Sequence, residues 1–201
     1  MTEIILICLI AYLAGSVNFA IIFFKLAGKD DPRLNFSGNA GTTNVYRQAG
    51  LGWAAIVLLL DLGRAAAIAG LALYLLPAGY VPWIGFSLIV GNRFPCFHQF
   101  QGGKGVASFL GFTLMISPVS TTLDALLWVA VFGIVRIPFI ASFFMILALA
   151  IGTVTVYNHQ VAAVAGTVAS ALLIFYNHKR NLAALIRERK NKYENQGNTT
   201  G

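Results

Sequence analysis

Charge is scarce in this sequence: 10% of its 201 residues are Asp, Glu, Lys or Arg. A soluble domain carries about a quarter, so the composition argues against a soluble module. Only two cysteines are present, Cys8 and Cys96, and they form no CxxC pair. Neither a disulfide framework nor a thiolate zinc site is indicated. No group of carboxylates or histidines has metal-ligand spacing. No GxSxG elbow or Ser/His/Asp set accounts for a nucleophile.

What the sequence has instead is apolar length. Ile4–Phe24 and Ile137–Tyr157 each run without a charge, and 58% of all residues are apolar. A bilayer needs roughly 20 apolar residues per helix. The pattern predicts an all-α, polytopic membrane protein of about seven spans, at residues 3–24, 52–76, 80–92, 105–117, 119–135, 137–157 and 160–177. One domain, 1–194, is expected, followed by a disordered tail, 195–201. The first run is too long for a cleaved signal and lacks a basic start, so it reads as a retained helix. Small residues four apart, Gly63 and Ala67, and then Ala162, Gly166 and Ser170, read as helix-packing positions.

The net charge of +7 is unevenly placed. Loop 25–51 holds four basic residues, loop 93–104 two, the turn at Arg136 one, and the tail from Lys179 to Lys192 six. The intervening turns, 77–79, 117–118 and 158–159, hold no Lys or Arg. This alternation predicts an external N-terminus and a cytoplasmic tail. It reads as topology, not nucleic-acid binding, and a basic tail beside a last span also suits anionic lipid. Arg64 alone among the basic residues falls inside a span, three residues from Asp61. The two form either a buried structural pair or the wall of a polar cavity. Asp124 is a further charge at the start of a span and receives no role.

Three polar segments share the basic side. In Ser37–Arg47, Gly38 and Gly41 free the backbone N–H groups, while Ser37, Asn39, Thr42, Thr43 and Asn44 add uncharged donors. Arg47 can grip a phosphate through two hydrogen bonds. In Gly91–Ser108, Gly102, Gly103 and Gly105 surround Lys104, a point charge for an anion. This is no Walker A loop, because His98 stands at its first Gly and Gly105 at its Ser/Thr. Either loop could equally be an ordinary turn with a topology-setting cation. The aromatics Phe94, Phe97 and Phe100 mark an interface. In the tail, His178 and Asn181 share a helix face.

Together the three segments resemble the bacterial acyl-phosphate:glycerol-3-phosphate acyltransferase family, from "AGSVNF" (Ala14–Phe19) to Ile186. "DPR…SGNAGTTNVYR" is similar to its first motif, "FPCFHQFQGGKGVAS" to its second, and "HKRNL" to the start of its third. The resemblance implies transfer of a fatty acyl group from a long-chain acyl phosphate to the 1-hydroxyl of glycerol 3-phosphate. The products would be 1-acylglycerol 3-phosphate (lysophosphatidic acid) and phosphate. It implies a bacterial inner-membrane enzyme of phospholipid synthesis, working amid membrane lipid with no cofactor, no metal and no nucleic acid. The oligomeric state is left open. By motif position, Ser37, Asn39, Lys104 and His178 are implied as catalytic. Gly38, Gly41, Thr43, Asn44, Arg47, Asn92, Gly102, Gly103, Gly105 and Asn181 are implied to bind substrate, with Ser37, Arg47, Lys104 and His178 holding phosphate. The chain departs from the family pattern at Phe36 (for Gly), Thr42 (for Ala), Asn92 (for His), Gln101 (for Lys) and Ala184 (for Arg). The closing Gly-x-Glu near Glu188–Lys190 is also missing. A transporter of a phosphorylated metabolite, or an inactive relative, are the competing readings. A transporter would place its site near mid-membrane, whereas these residues lie in loops.

Overall fold

A computed structural model describes residues 2–197, with side chains to residue 192. The described chain is all helical. Its elements are α1 (Thr2–Ser16), α2 (Phe19–Leu26), α3 (Thr42–Leu75), α4 (Val81–Arg93), α5 (Val106–Ile116), α6 (Pro118–Val135), α7 (Pro138–Val156), α8 (Val161–Asn177) and α9 (Lys179–Gly197). Of the tail expected to be disordered, residues 198–201 lie outside the described residues, and α9 runs to Gly197.

Each predicted span contains a helix, but two boundaries differ. The first run breaks at Ser16–Asn18. There Asn18 leaves helical geometry and its side chain accepts the N–H of Ile21 at 3.1 Å, capping α2. An uncharged polar residue inside an apolar run is a helix start signal. The second span begins ten residues early, at Thr42, and kinks at Gly50, whose φ is 83°. Four segments are long and apolar enough to cross a membrane: Thr2–Leu26 (α1 with α2), Thr42–Leu75, Pro118–Val135 and Pro138–Val156. A fifth is reached if α8 and α9, bent by 44°, count as one broken span. The expected seven is not reached on this criterion. By their rise, α4 (13 residues) and α5 (11 residues) extend only about 20 and 17 Å.

These short helices are the centre of the fold. Val81, Ile84, Leu88 and Ile89 of α4 are wholly buried, and Phe112 of α5 nearly so. α1 and α4 run parallel in close contact: a Cβ on Gly15 would sit 2.2 Å from the Leu88 carbonyl oxygen, and one on Gly91 2.1 Å from that of Tyr12. α8 runs parallel to α4 on its other side. A Cβ on Gly166 would meet the Trp83 nitrogen at 2.9 Å, so this member of the small-residue row is a packing position. Gly63 has nothing within 4 Å and is not. α3 and α5 pair in parallel, and α6 and α7 form a hairpin.

Helices of alternating direction gather their connections into two ends. One end holds the turns at 76–80 and 157–160, with no Lys or Arg. The other gathers loop 27–41, loop 94–105 and the start of α9, and it is basic. The Asp61–Arg64 pair lies within α3, buried, at 3.0 Å. It is a structural pair with further partners.

Candidate active site

The first loop is held from within by Asn44. This buried side chain in the first turn of α3 donates to the carbonyls of Pro32 (2.7 Å), Asn39 (2.9 Å) and Asn35 (3.2 Å), and accepts the Ser37 N–H at 3.5 Å. An amide has only two hydrogens, so Asn44 has no donor left for a substrate. Its expected binding role becomes a scaffolding one. From below, Asn18 donates to the Ala40 carbonyl at 3.1 Å. Gly41 precedes α3 without a side-chain cap, and a Cβ there would fall 2.8 Å from the Asn39 amide nitrogen. No side chain caps the N–H groups at the start of α3. Ser37 and Asn39 are half-buried beside them, and Thr43 and Arg47 are exposed.

The second loop lies flush on the end of α4. The N–H of Gly103 donates to the Asn92 carbonyl at 2.9 Å, and that of Gly102 to the Arg93 carbonyl at 3.2 Å. A Cβ on Gly102 would stand 2.1 Å from the Asn92 carbonyl oxygen, and one on Gly103 2.6 Å from the Asn92 side-chain oxygen. A Cβ on Gly105, whose φ is 90°, would reach Ile89 at 2.6 Å. These glycines are required by packing, with the first two N–H groups already committed. The expectation that they bare the backbone to a ligand is corrected for Gly102 and Gly103. Asn92 props up the loop. The second uncapped helix start follows directly, at Val106 of α5. The two loops touch where the Ala40 carbonyl lies 3.3 Å from the Cβ position of Gly103.

Lys104 is where the segments converge. Its ammonium donates to the Asn181 side-chain oxygen at 2.6 Å, and its carbonyl accepts from Asn177 at 3.1 Å. Asn177 in turn accepts from the Arg93 guanidinium at 3.0 Å. Burial, and then the charges of Arg47 and Arg93, push the Lys104 pKa down to about 8. An amine surrounded by cations and short of water favours an anion. His178, just past α8, is buried against Phe139 and Phe143. Burial, and then the charge of Lys104, push its pKa down to about 4. Its Nδ1 lies 2.8 Å from the Ile174 carbonyl. A carbonyl only accepts, so Nδ1 carries the proton and Nε2 presents a lone pair. A neutral imidazole whose free nitrogen carries a lone pair repels phosphate. The expected phosphate-holding role of His178 does not fit this geometry.

Sequence reasoning missed two arginines. Arg33 pairs with Asp31 at 2.6 Å and donates to the carbonyls of His98 and Gln101, both at 2.8 Å, clamping the two loops together. Arg93 and its partner Asn177 tie α4 to α8. The sequence reading counts both among the topology charges, and although Arg33 falls in the first motif, neither receives a role in the site. Asn177, next to His178 at the end of an apolar helix, was the available cue. A cavity of about 440 Å³ lies at the other end, lined by Ala78, Val156, Tyr157, Asn158 and Gln160.

Residues 5–188 match the family model described as Glycerol-3-phosphate acyltransferase. Similar curated proteins include the glycerol-3-phosphate acyltransferase of Methylobacillus flagellatus, 36% identical over 177 residues, covering 88% of this chain and 90% of that one. That of Neisseria meningitidis serogroup B is 36% identical over 200 residues, covering 91% of this chain and 94% of its own. Among solved structures, the glycerol 3-phosphate form of PlsY (YgiH), an integral membrane glycerol 3-phosphate acyltransferase, superposes with a TM-score of 0.86 at 29% identity, covering 93% of this chain and 94% of that one. Its lysophosphatidic acid form gives 0.84 at 28% identity, with 93% coverage of both chains.

Proposed function

The chain belongs to the glycerol-3-phosphate acyltransferase family, a multi-pass membrane enzyme forming lysophosphatidic acid, and on that footing we propose how its basic end carries out the reaction. The acyl donor is a long-chain acyl phosphate drawn from the surrounding lipid. The basic end faces the cytoplasm of a bacterial cell, with the protein in the inner membrane and the N-terminus outside. The observation that carries this reading is the convergence on Lys104: a partly dehydrated ammonium beside Arg47 and Arg93, adjoining the uncapped starts of α3 and α5.

Phosphate binds where these donors meet. Helix N-termini favour anions through their free N–H groups and dipole. Lys104 and Arg47 add full charges, and the half-buried Ser37 and Asn39 add neutral donors. Asn181 and Asn177 hold the lysine from its side chain and its backbone. The glycerol 1-hydroxyl attacks the acyl carbonyl. A C–O bond to glycerol forms, the C–O bond to phosphate breaks, and the hydroxyl proton leaves with the departing phosphate. The lone pair on His178 Nε2 accepts the hydrogen bond that orients the hydroxyl. Acyl phosphate is a mixed anhydride with a good leaving group, so positioning and charge stabilisation supply the catalysis. Asn92, lacking a basic nitrogen, serves only as support for the loop.

The test is direct. Purified protein in lipid receives acyl phosphate and labelled glycerol 3-phosphate, and labelled lysophosphatidic acid and free phosphate are measured. Equimolar release of both is expected. Binding of glycerol 3-phosphate without product would replace this reading with that of an inactive relative.

A further inference from the structure

Arg64 reaches further than an ion pair requires. Its guanidinium and the Asp61 carboxylate are both buried, with side-chain exposures of 8% and 9%. The same guanidinium donates to the Val17 carbonyl and lies 3.4 Å from the Gly15 carbonyl. It also donates to the Ser108 hydroxyl at 3.2 Å and covers the Phe19 ring at 5.4 Å. Gly15 and Val17 flank the break between α1 and α2. A helix end leaves carbonyls without partners, and lipid offers none. Arg64 satisfies them and so holds the break in place.

Both groups that Arg64 grips lie next to a loop of the site. Val17 precedes Asn18, which holds the Ala40 carbonyl in the first loop. Ser108 is in the first turn of α5, three residues after Gly105. One planar group thus connects, through one intermediary each, to the Ser37–Arg47 loop and to the Lys104 loop. Those loops meet at Ala40 and Gly103.

We propose that Arg64 is a positioning residue for the phosphate site, fixing the spacing between the two loops. The proposal rests on the functional reading above. A guanidinium can serve all these partners because its donors form a rigid planar fork. A lysine at this place caps the carbonyls and pairs with Asp61 but has no fork with which to span to Ser108. If the pair were only structural, replacing both charges would be tolerated once the fold survives, because the destabilising step is leaving one partner alone.

The experiment compares Ser108→Ala, Arg64→Lys and the double variant Asp61→Asn/Arg64→Gln with the unaltered protein. It reads KM for glycerol 3-phosphate, kcat, and melting temperature in detergent. Ser108→Ala should raise KM about three- to tenfold, the range of one hydrogen bond, with kcat and melting temperature nearly unchanged. Arg64→Lys should resemble Ser108→Ala. The double variant, which also leaves the Gly15 and Val17 carbonyls without the guanidinium, should melt somewhat lower and raise KM by at least as much. Unchanged KM in Ser108→Ala and Arg64→Lys overturns the proposal. So does a fall in melting temperature that accounts for the loss in all three. If the double variant does not fold, the two single variants decide the matter. Failure of the unaltered protein to make product instead overturns the functional reading.

Discussion

The two ends of the helical bundle differ in opposite senses. At the basic end, Arg33, Asn44 and Asn177 are tied into the backbone, Lys104 is held by the Asn181 side chain, and the loops pack so closely that glycine hydrogens face carbonyls. The neutral end has an opening of about 440 Å³, whose lining carries no Lys or Arg. An opening without cations offers a phosphate nothing to bind. A substrate that brings phosphate needs fixed donors and cations, and its acyl chain can remain in lipid instead of a protein cavity. The proposed phosphate site therefore belongs with the cations of the crowded end.

Substitutions at the two ends test this contrast. The largest effect is expected at Gly102→Ala, where a Cβ would stand 2.1 Å from a backbone oxygen of Asn92. The loop must shift, and misplacement by about 1 Å costs about 100-fold in rate. Acyl transfer near the original rate would show that the loop is not part of the site. Lys104→Ala should lower the rate at least about tenfold, since a charged hydrogen bond contributes about 1.5–3 kcal/mol. Asn92→Ala, assayed at matched expression, should lose less. The reverse order would point to Asn92 as the reacting group.

A smaller effect is expected at Phe36, an exposed residue with φ of 53° beside Ser37. Side chains in this left-handed region are strained, so Phe36→Gly should stabilise the protein by about 0.5–1 kcal/mol. Thermal unfolding in detergent measures this. A lower melting temperature would mean that the ring has a packing role. The smallest effect belongs to the neutral end. The Tyr157 hydroxyl is buried there without a hydrogen-bond partner, so Tyr157→Phe should leave acyl transfer unchanged. A large loss would move chemistry to the wrong end.

Much of this was legible in the sequence, for reasons that also explain the rest. Apolar length located the helices, because burial in lipid leaves a one-dimensional trace. The break at Asn18 was hidden because one polar residue does not interrupt a charge-free run. The early start of α3 was hidden because residues 42–51 look like a polar loop but form a helix that joins the span across a kink at Gly50. The motif loops read as an anion site by their glycines and cations, the reading on which the proposed function rests. What those glycines do was not: Gly102 and Gly103 face Asn92, a contact between segments that pattern alone does not give. Likewise Arg33 and Arg93 read as topology charges until their acceptors were visible. The tautomer of His178 depends on a carbonyl one turn away, which assigns it a lone pair where a phosphate-holding group was expected.

The central claim is that a protonated Lys104 receives the phosphate. Its pKa is pushed down to about 8 in the free protein. The ammonium is the charged form below that value and is lost as pH rises through it. His178, held down at about 4, stays neutral throughout the range. The second ionisation of a phosphate monoester falls near pH 6, so glycerol 3-phosphate is already dianionic. The deciding measurement is kcat/KM for glycerol 3-phosphate from pH 7 to 10, which reports the free enzyme. It should be level up to about pH 8 and then fall towards tenfold per unit, and the fall should vanish in Lys104→Met, whose residual activity is flat. A profile in the unaltered protein that stays level to pH 10, or one whose fall persists in Lys104→Met, would contradict the account.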